Sequence, residues 1–142
     1  MRVQAAHPED YEWIASRATL AVGPLFRAIK AVDEKGNIHG MVGFDGWTPN
    51  SVSLHLALDN PLALRSLLKP GFGIAFDEFY RGVIVVTVLS DNARSLALIP
   101  KLGFREVHRI RDGWKPGIDM VLFEMRREDC RWVGPVPLRK AG

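Results

Sequence analysis

The chain has 142 residues, 47% of them hydrophobic and 25% charged, an ordinary globular balance for one compact core. Its 19 basic and 16 acidic residues leave a formal charge of +3, an excess that suits a polyphosphate ligand as well as nucleic acid and does not choose between them. The single cysteine, Cys130, excludes an internal disulfide and a cysteine-rich zinc site, and no signal-peptide apolar region or bilayer-length apolar run occurs, so a cytoplasmic protein without a membrane partner is expected.

Residues 3–5 read as a short first strand ended by His7-Pro8-Glu9-Asp10, with Asp10 placed to cap a helix through Tyr11, Trp13, Ile14 and Ala18. After the Gly23-Pro24 break, residues 28–33 form a strand closed by the turn Glu34-Lys35-Gly36-Asn37, and residues 38–44 return as its antiparallel partner. A turn over 45–50 leads to residues 51–58, where Val52, Leu54, Leu56 and Leu58 alternate with Ser53, His55 and Ala57 in the period of a half-buried strand.

Residues 61–80 space Leu64, Leu67, Leu68, Phe72, Ala75, Phe76 and Phe79 along one helical face, interrupted by Pro70 and Gly71. A short turn with a helix from about Pro70, and a single kinked helix, both satisfy this pattern. Residues 83–89 are apolar on both faces, as a strand buried between helices must be. Ser90-Asp91-Asn92 offers caps for a helix over 93–101 that stops at Gly103, and residues 105–111 and 118–125 are two strands joined by a hairpin loop at 112–117. The order predicts one mixed α/β domain over residues 1–133, followed at 134–142 by a tail expected to be mobile.

The segment Asn92-Ala93-Arg94-Ser95-Leu96, followed by Lys101-Leu102-Gly103-Phe104-Arg105-Glu106 straight after a buried strand, resembles the helix and closing turn of GNAT acetyltransferases. Element order agrees across roughly the whole chain. Gly40-Met41-Val42-Gly43, Trp47-Thr48-Pro49-Asn50-Ser51-Val52, Leu54-His55-Leu56-Ala57 and Cys130-Arg131-Trp132 further resemble small GNAT-like proteins of bacteriophages and prophages. The resemblance implies a twisted mixed sheet of six to seven strands with helices on both faces, splayed between the fourth strand (51–58) and the fifth (83–89). It also implies acetyl-CoA or another acyl-CoA as cosubstrate, no metal, and a small-molecule or protein amine as acceptor.

In that family the pantetheine arm pairs with the fourth strand, which would place Ala57 and Leu58 beside the cofactor, and the pyrophosphate sits on the amino end of the following helix. The family's phosphate motif, Gln or Arg, two residues, Gly, one residue, Gly or Ala, is not reproduced. One register uses Gly71 and Gly73 and puts Leu68 in the basic position. The register that preserves helix length, which we favour, puts the phosphate loop at 59–65 without a glycine pair, with Arg65 beside it and Lys69 as a rival.

Acyl transfer to an amine needs a group that removes the amine's proton. His55, on the strand that borders the acyl group in this family, is the candidate base; a structural hydrogen-bonding histidine is the competing reading. The resemblance places a tyrosine acid four residues before the glycine of the closing turn, where this chain has Ile99. Asn92 and Ser95 are expected at the cofactor's arm, and Trp47 and Trp114, both in loops, at the acceptor pocket. Asp45 and Asp59 attract an ammonium or act as local turn formers, and Cys130 has no evident histidine partner. Arg126, Arg127, Arg131, Arg139 and Lys140 make the carboxyl end basic, which keeps nucleic-acid modification open as an alternative. A non-catalytic acyl-CoA or partner-binding module is the other alternative, and a homodimer is compatible with all three.

Overall fold

The computed structural model describes residues 1–134. Strands β1 (Arg2–Ala5), β2 (Arg27–Val32), β3 (Ile38–Asp45) and β4 (Ser51–Leu58) form an antiparallel meander. Strand β5 (Val83–Leu89) joins β4 in parallel, and β7 (Ile118–Arg126) pairs antiparallel with both β5 and the edge strand β6 (Arg105–Lys115). The result is one seven-stranded sheet in the order β1-β2-β3-β4-β5-β7-β6, with helices α1 (Tyr11–Ala15), α2 (Pro61–Gly73) and α3 (Ala93–Lys101). This is the mixed α/β architecture expected from the sequence. The tail expected at 134–142 lies outside the described residues beyond Gly134.

Side-chain alternation sorts the sheet into two faces. Val42, Phe44, Val52, Leu54, Ile84, Val86 and Phe123 pack with Leu67 and Phe72 of α2 and Ile99 of α3 in the main core. On the opposite face Ala28, Met41 and Ala57 meet Ile14 of α1 and Phe26 in a second cluster. α2 lies directly on β3: a Cβ at Gly40 would stand 2.7 Å from Ala63 Cβ, so only glycine permits this approach. No helix among the described residues is long and apolar enough to cross a membrane.

Two elements differ from their sequence expectation, and a third decides between two readings that the sequence left open. Asp10 stands at the N-cap position of α1 but makes no side-chain cap bond there; its carboxylate accepts the His7 N–H (2.9 Å) and pairs with Lys30 (2.8 Å), closing a helical turn at Pro8–Asp10 ahead of a helix only five residues long. Of the two readings of residues 61–80 the single helix holds: α2 begins at Pro61, because Asn60 caps it and Pro61 stands in the first turn, where a missing N–H costs little. It runs through Pro70 and widens into a π-helical stretch, Ile74–Glu78, whose Phe79 N–H reaches back to Ile74 O at 3.0 Å. The loop expected at 112–117 is mostly strand, since β6 continues to Lys115 opposite Ile118, with an irregular register between Ile110 and Lys115.

Candidate active site

β4 and β5 are paired only at Ser51↔Val83, Val52↔Ile84 and Ser53↔Val85, and then part. On its other edge β4 stays zipped to β3 as far as Leu58↔Gly40, and the Asp59 N–H continues that ladder to His39 O at 2.8 Å. Antiparallel alternation therefore turns the backbone groups of Ser53, His55 and Ala57 toward β3 and those of Leu54, Leu56 and Leu58 toward the gap. The gap is a cavity of about 310 Å³ that crosses the sheet. Leu54, Leu56, Val86, Val88, Ser95 and Ile99 line it toward α3, and Arg17, Thr19, His55, Thr87, Trp114 and Met120 line it on the face of α1.

His55 stands at the edge of this cavity, half-buried, with Nε2 2.7 Å from Asp45 Oδ1. The register explains the pair: His55 lies opposite Gly43 and Ser53 opposite Asp45, so His55 and Asp45 are diagonal neighbours on one face. A carboxylate only accepts, so Nε2 carries the hydrogen and Nδ1 of the neutral ring is left as the acceptor. The ring of Phe26 packs beside the imidazole, centroids 6.5 Å apart, and is itself held edge-on by Tyr11 at 4.8 Å. The far end of the Phe26 ring reaches β3 only because residue 43 is glycine: a Cβ there would fall 2.2 Å from Phe26 Cζ.

On α3, Asn92 caps the helix by accepting the Ser95 N–H (3.1 Å), and Asn92, Ser95 and Ile99 line the cavity on successive turns. Ile99, at 3% exposure, puts an apolar chain where the family resemblance expects an acid. Trp114 reaches the cavity from β6, half of its surface still exposed. Trp47 does not. It sits before β4, at the end where β4 and β5 are paired, with its indole N–H on Leu25 O (3.0 Å) and its ring against Phe44 and Phe79. Ala57 is buried in the cluster under α1, and Leu58 contributes its backbone edge rather than a lining side chain. Arg17, Thr19, Thr87 and Met120, which sequence reasoning did not single out, also line the cavity.

No protein-family model matches the chain and no curated protein matches it. Solved structures do. A mutant form of the spermidine/spermine N-acetyltransferase SpeG from Vibrio cholerae superposes with a TM-score of 0.74 at 13% identity, covering 89% of this chain and 95% of that one. A protein assigned as a phosphinothricin N-acetyltransferase superposes with a TM-score of 0.67 at 15% identity, covering 88% and 97%. The chain has the GNAT fold.

Within that fold the amino end of α2 departs from a phosphate cradle. Gly71 and Gly73 lie inside α2, Gly71 buried against Val42, which removes the register that used them as a loop. At the other register Asn60 Oδ1 holds the Leu62 N–H at 2.9 Å and Asp59 is clamped by Arg17 through two contacts of 2.9 Å. The Arg17 guanidinium holds the Asp59 carboxyl below its ordinary range. Arg65 and Lys69 are exposed on α2 and line none of the cavity.

Of the basic carboxyl end, Arg127 is drawn inward, while Arg126 and Arg131 stay exposed. Arg127 binds Phe76 O and Asp77, and Arg131 donates to Lys101 O (2.7 Å) while stacking on Trp132. Arg139 and Lys140 lie outside the described residues. Cys130 is buried at 6% exposure, and burial pushes its thiol pKa up. The folded protein is expected to resist a thiol-disulfide reagent at about pH 8, because too little thiolate is present or reachable. Titration in denaturant should then show the one equivalent that the sequence contains.

Proposed function

We propose that the chain is an N-acyltransferase that moves a short acyl group from an acyl-CoA thioester to an amine with an apolar or aromatic body, using His55 as the base. The observation that carries this reading is the parted β4/β5 pair with a carboxylate-held histidine at its edge. The thioester arm suits the gap: Leu56 and Leu58 turn unpaired backbone groups toward it, and Leu54, Leu56, Val86 and Val88 provide apolar walls. When bound, the thioester supplies the activated acyl carbon.

His55 Nδ1 takes the proton that the acceptor's ammonium must lose before its nitrogen lone pair can form the new bond. Asp45 fixes the tautomer and balances the charge that the ring then carries. Ile99 has no proton to give. A departing thiolate tolerates this better than an alkoxide would, since thiols ionise near about 8.5. The Ser95 hydroxyl, one turn before Ile99, stands on the same side of the gap as a hydrogen-bond donor for that sulfur.

Among the described residues no Asp or Glu lines the cavity, and its one cation, Arg17, is already paired. An acceptor with several ammonium groups, such as the polyamines in the name of SpeG, finds no counter-charge here, whereas Trp114 and Met120 suit an apolar amine. The test is thiol release and product mass with acetyl-CoA and a panel of amines. Arylalkylamines should be acetylated at least about tenfold faster than spermidine, the discrimination worth one lost charge pairing. No thioester binding at millimolar ligand, and no product with any amine, would overturn the reading. Ile99 favours one rival, a module that binds thioesters without transfer, which would show binding and no turnover in the same assay.

A further inference from the structure

We infer that the cleft recognises its acyl donor through the S-acyl pantetheine arm and gives the pyrophosphate of CoA no seat at the amino end of α2. This rests on the acyltransfer reading and deepens it by defining which part of the donor is read. An anion binds at a helix start when backbone N–H groups there are unpaired. None of the backbone groups from 59 to 63 meets that condition. The Asp59 and Asn60 N–H groups both go to His39 O, at 2.8 and 3.3 Å. Pro61 has no N–H to offer. The Leu62 N–H is taken by Asn60 Oδ1 at 2.9 Å and the Ala63 N–H by Asn60 O at 3.0 Å.

The charges point the same way. Asp59 puts a carboxylate at the helix start, and its partner Arg17 is engaged at all three nitrogens, with Nε and one terminal nitrogen on Asp59 and the other on Trp13 O (2.9 Å) and Ser16 Oγ (3.3 Å). A pyrophosphate there would meet a like charge and would have to break a bidentate pair to recruit the nearest guanidinium. Arg65 and Lys69 are exposed, so solvent and salt screen what they add. Nor does the first turn have room to withdraw. Ala63 is fully buried on Gly40, and Leu58 and Leu67 close the same contact, so α2 starts hard against the sheet. The arm's own site, by contrast, is open between β4 and β5.

The test is calorimetric titration of the full chain with acetyl-CoA and, separately, with S-acetylpantetheine, which carries the same thioester arm without phosphates or nucleotide. The two dissociation constants are expected to agree within about fivefold. A larger preference for acetyl-CoA would overturn the inference and leave the acyltransferase reading standing; failure of both ligands to bind would overturn that reading itself. Asn60→Gly supplies a second measurement, because glycine is well tolerated at a helix N-cap and frees the Leu62 N–H. It should tighten acetyl-CoA and leave S-acetylpantetheine unchanged. An equal response of the two ligands, or none, would show that the cap is not what excludes the phosphates.

Discussion

Replacing His55 by glutamine is expected to lower kcat for amine acetylation by at least about a hundredfold near neutral pH, within the range that a positioned general base contributes. Glutamine is close to histidine in reach and keeps an N–H for Asp45, so the local hydrogen bond survives while the proton acceptor is lost. Thioester affinity should stay within about twofold, because the arm's apolar walls and strand edge are untouched. The defect should narrow at alkaline pH, as a growing share of the amine, with an ordinary pKa near about 10.4, arrives already deprotonated. Steady-state rates from pH 7 upward, paired with calorimetry, check both halves. A variant that turns over at the wild-type rate would make His55 a structural residue that ties β4 to the end of β3.

The elements around the cleft were the most legible part of the sequence. β4, β5 and α3 have the bounds that alternation, an unbroken apolar run and an asparagine cap predicted, because each of those signals is local. The start of α2 was less so: Pro70 left a break and a single helix both open, and burial of Leu67, Gly71 and Phe72 on the sheet holds the helix through it. The site mixed the two cases. His55, Asn92 and Ser95 sit on elements whose faces alternation or helical spacing defines, and all three reach the cavity. Trp47 and Trp114 look equivalent as loop tryptophans, but they belong to different ends of the sheet. β4 and β5 run parallel and open at their carboxyl ends, so a loop that precedes β4 lies at the closed end. The pairings of Asp45 and Arg17 were hidden for another reason. Their partners, His55 and Asp59, are ten and 42 residues away, and only strand register and the return of α1 across the sheet bring them together.

Gly43→Ala is expected to cost the fold about 3 kcal/mol, the upper end of what overpacking a well-filled site does. A Cβ at this position would lie 2.2, 2.7 and 3.2 Å from three atoms of the Phe26 ring, distances that require the ring to move. The ring is 4% exposed, with Tyr11 edge-on at one side and His55 at another, so the free direction leads toward the imidazole. The same methyl group should therefore lower activity in the molecules that remain folded, by pressing His55 off Asp45. Phe26→Leu removes the ring atoms that meet the new methyl. In that background the substitution should cost markedly less, giving a favourable coupling of about 1 kcal/mol or more between the two sites in urea denaturation. If Gly43→Ala unfolds at the wild-type midpoint, the ring moves aside without cost, and the placement of His55 cannot depend on the contact of Phe26 with Gly43. A normal coupling with full activity would separate the two roles: Gly43 would serve packing alone, and the His55–Asp45 bond would be rigid enough to hold its geometry against the displaced ring.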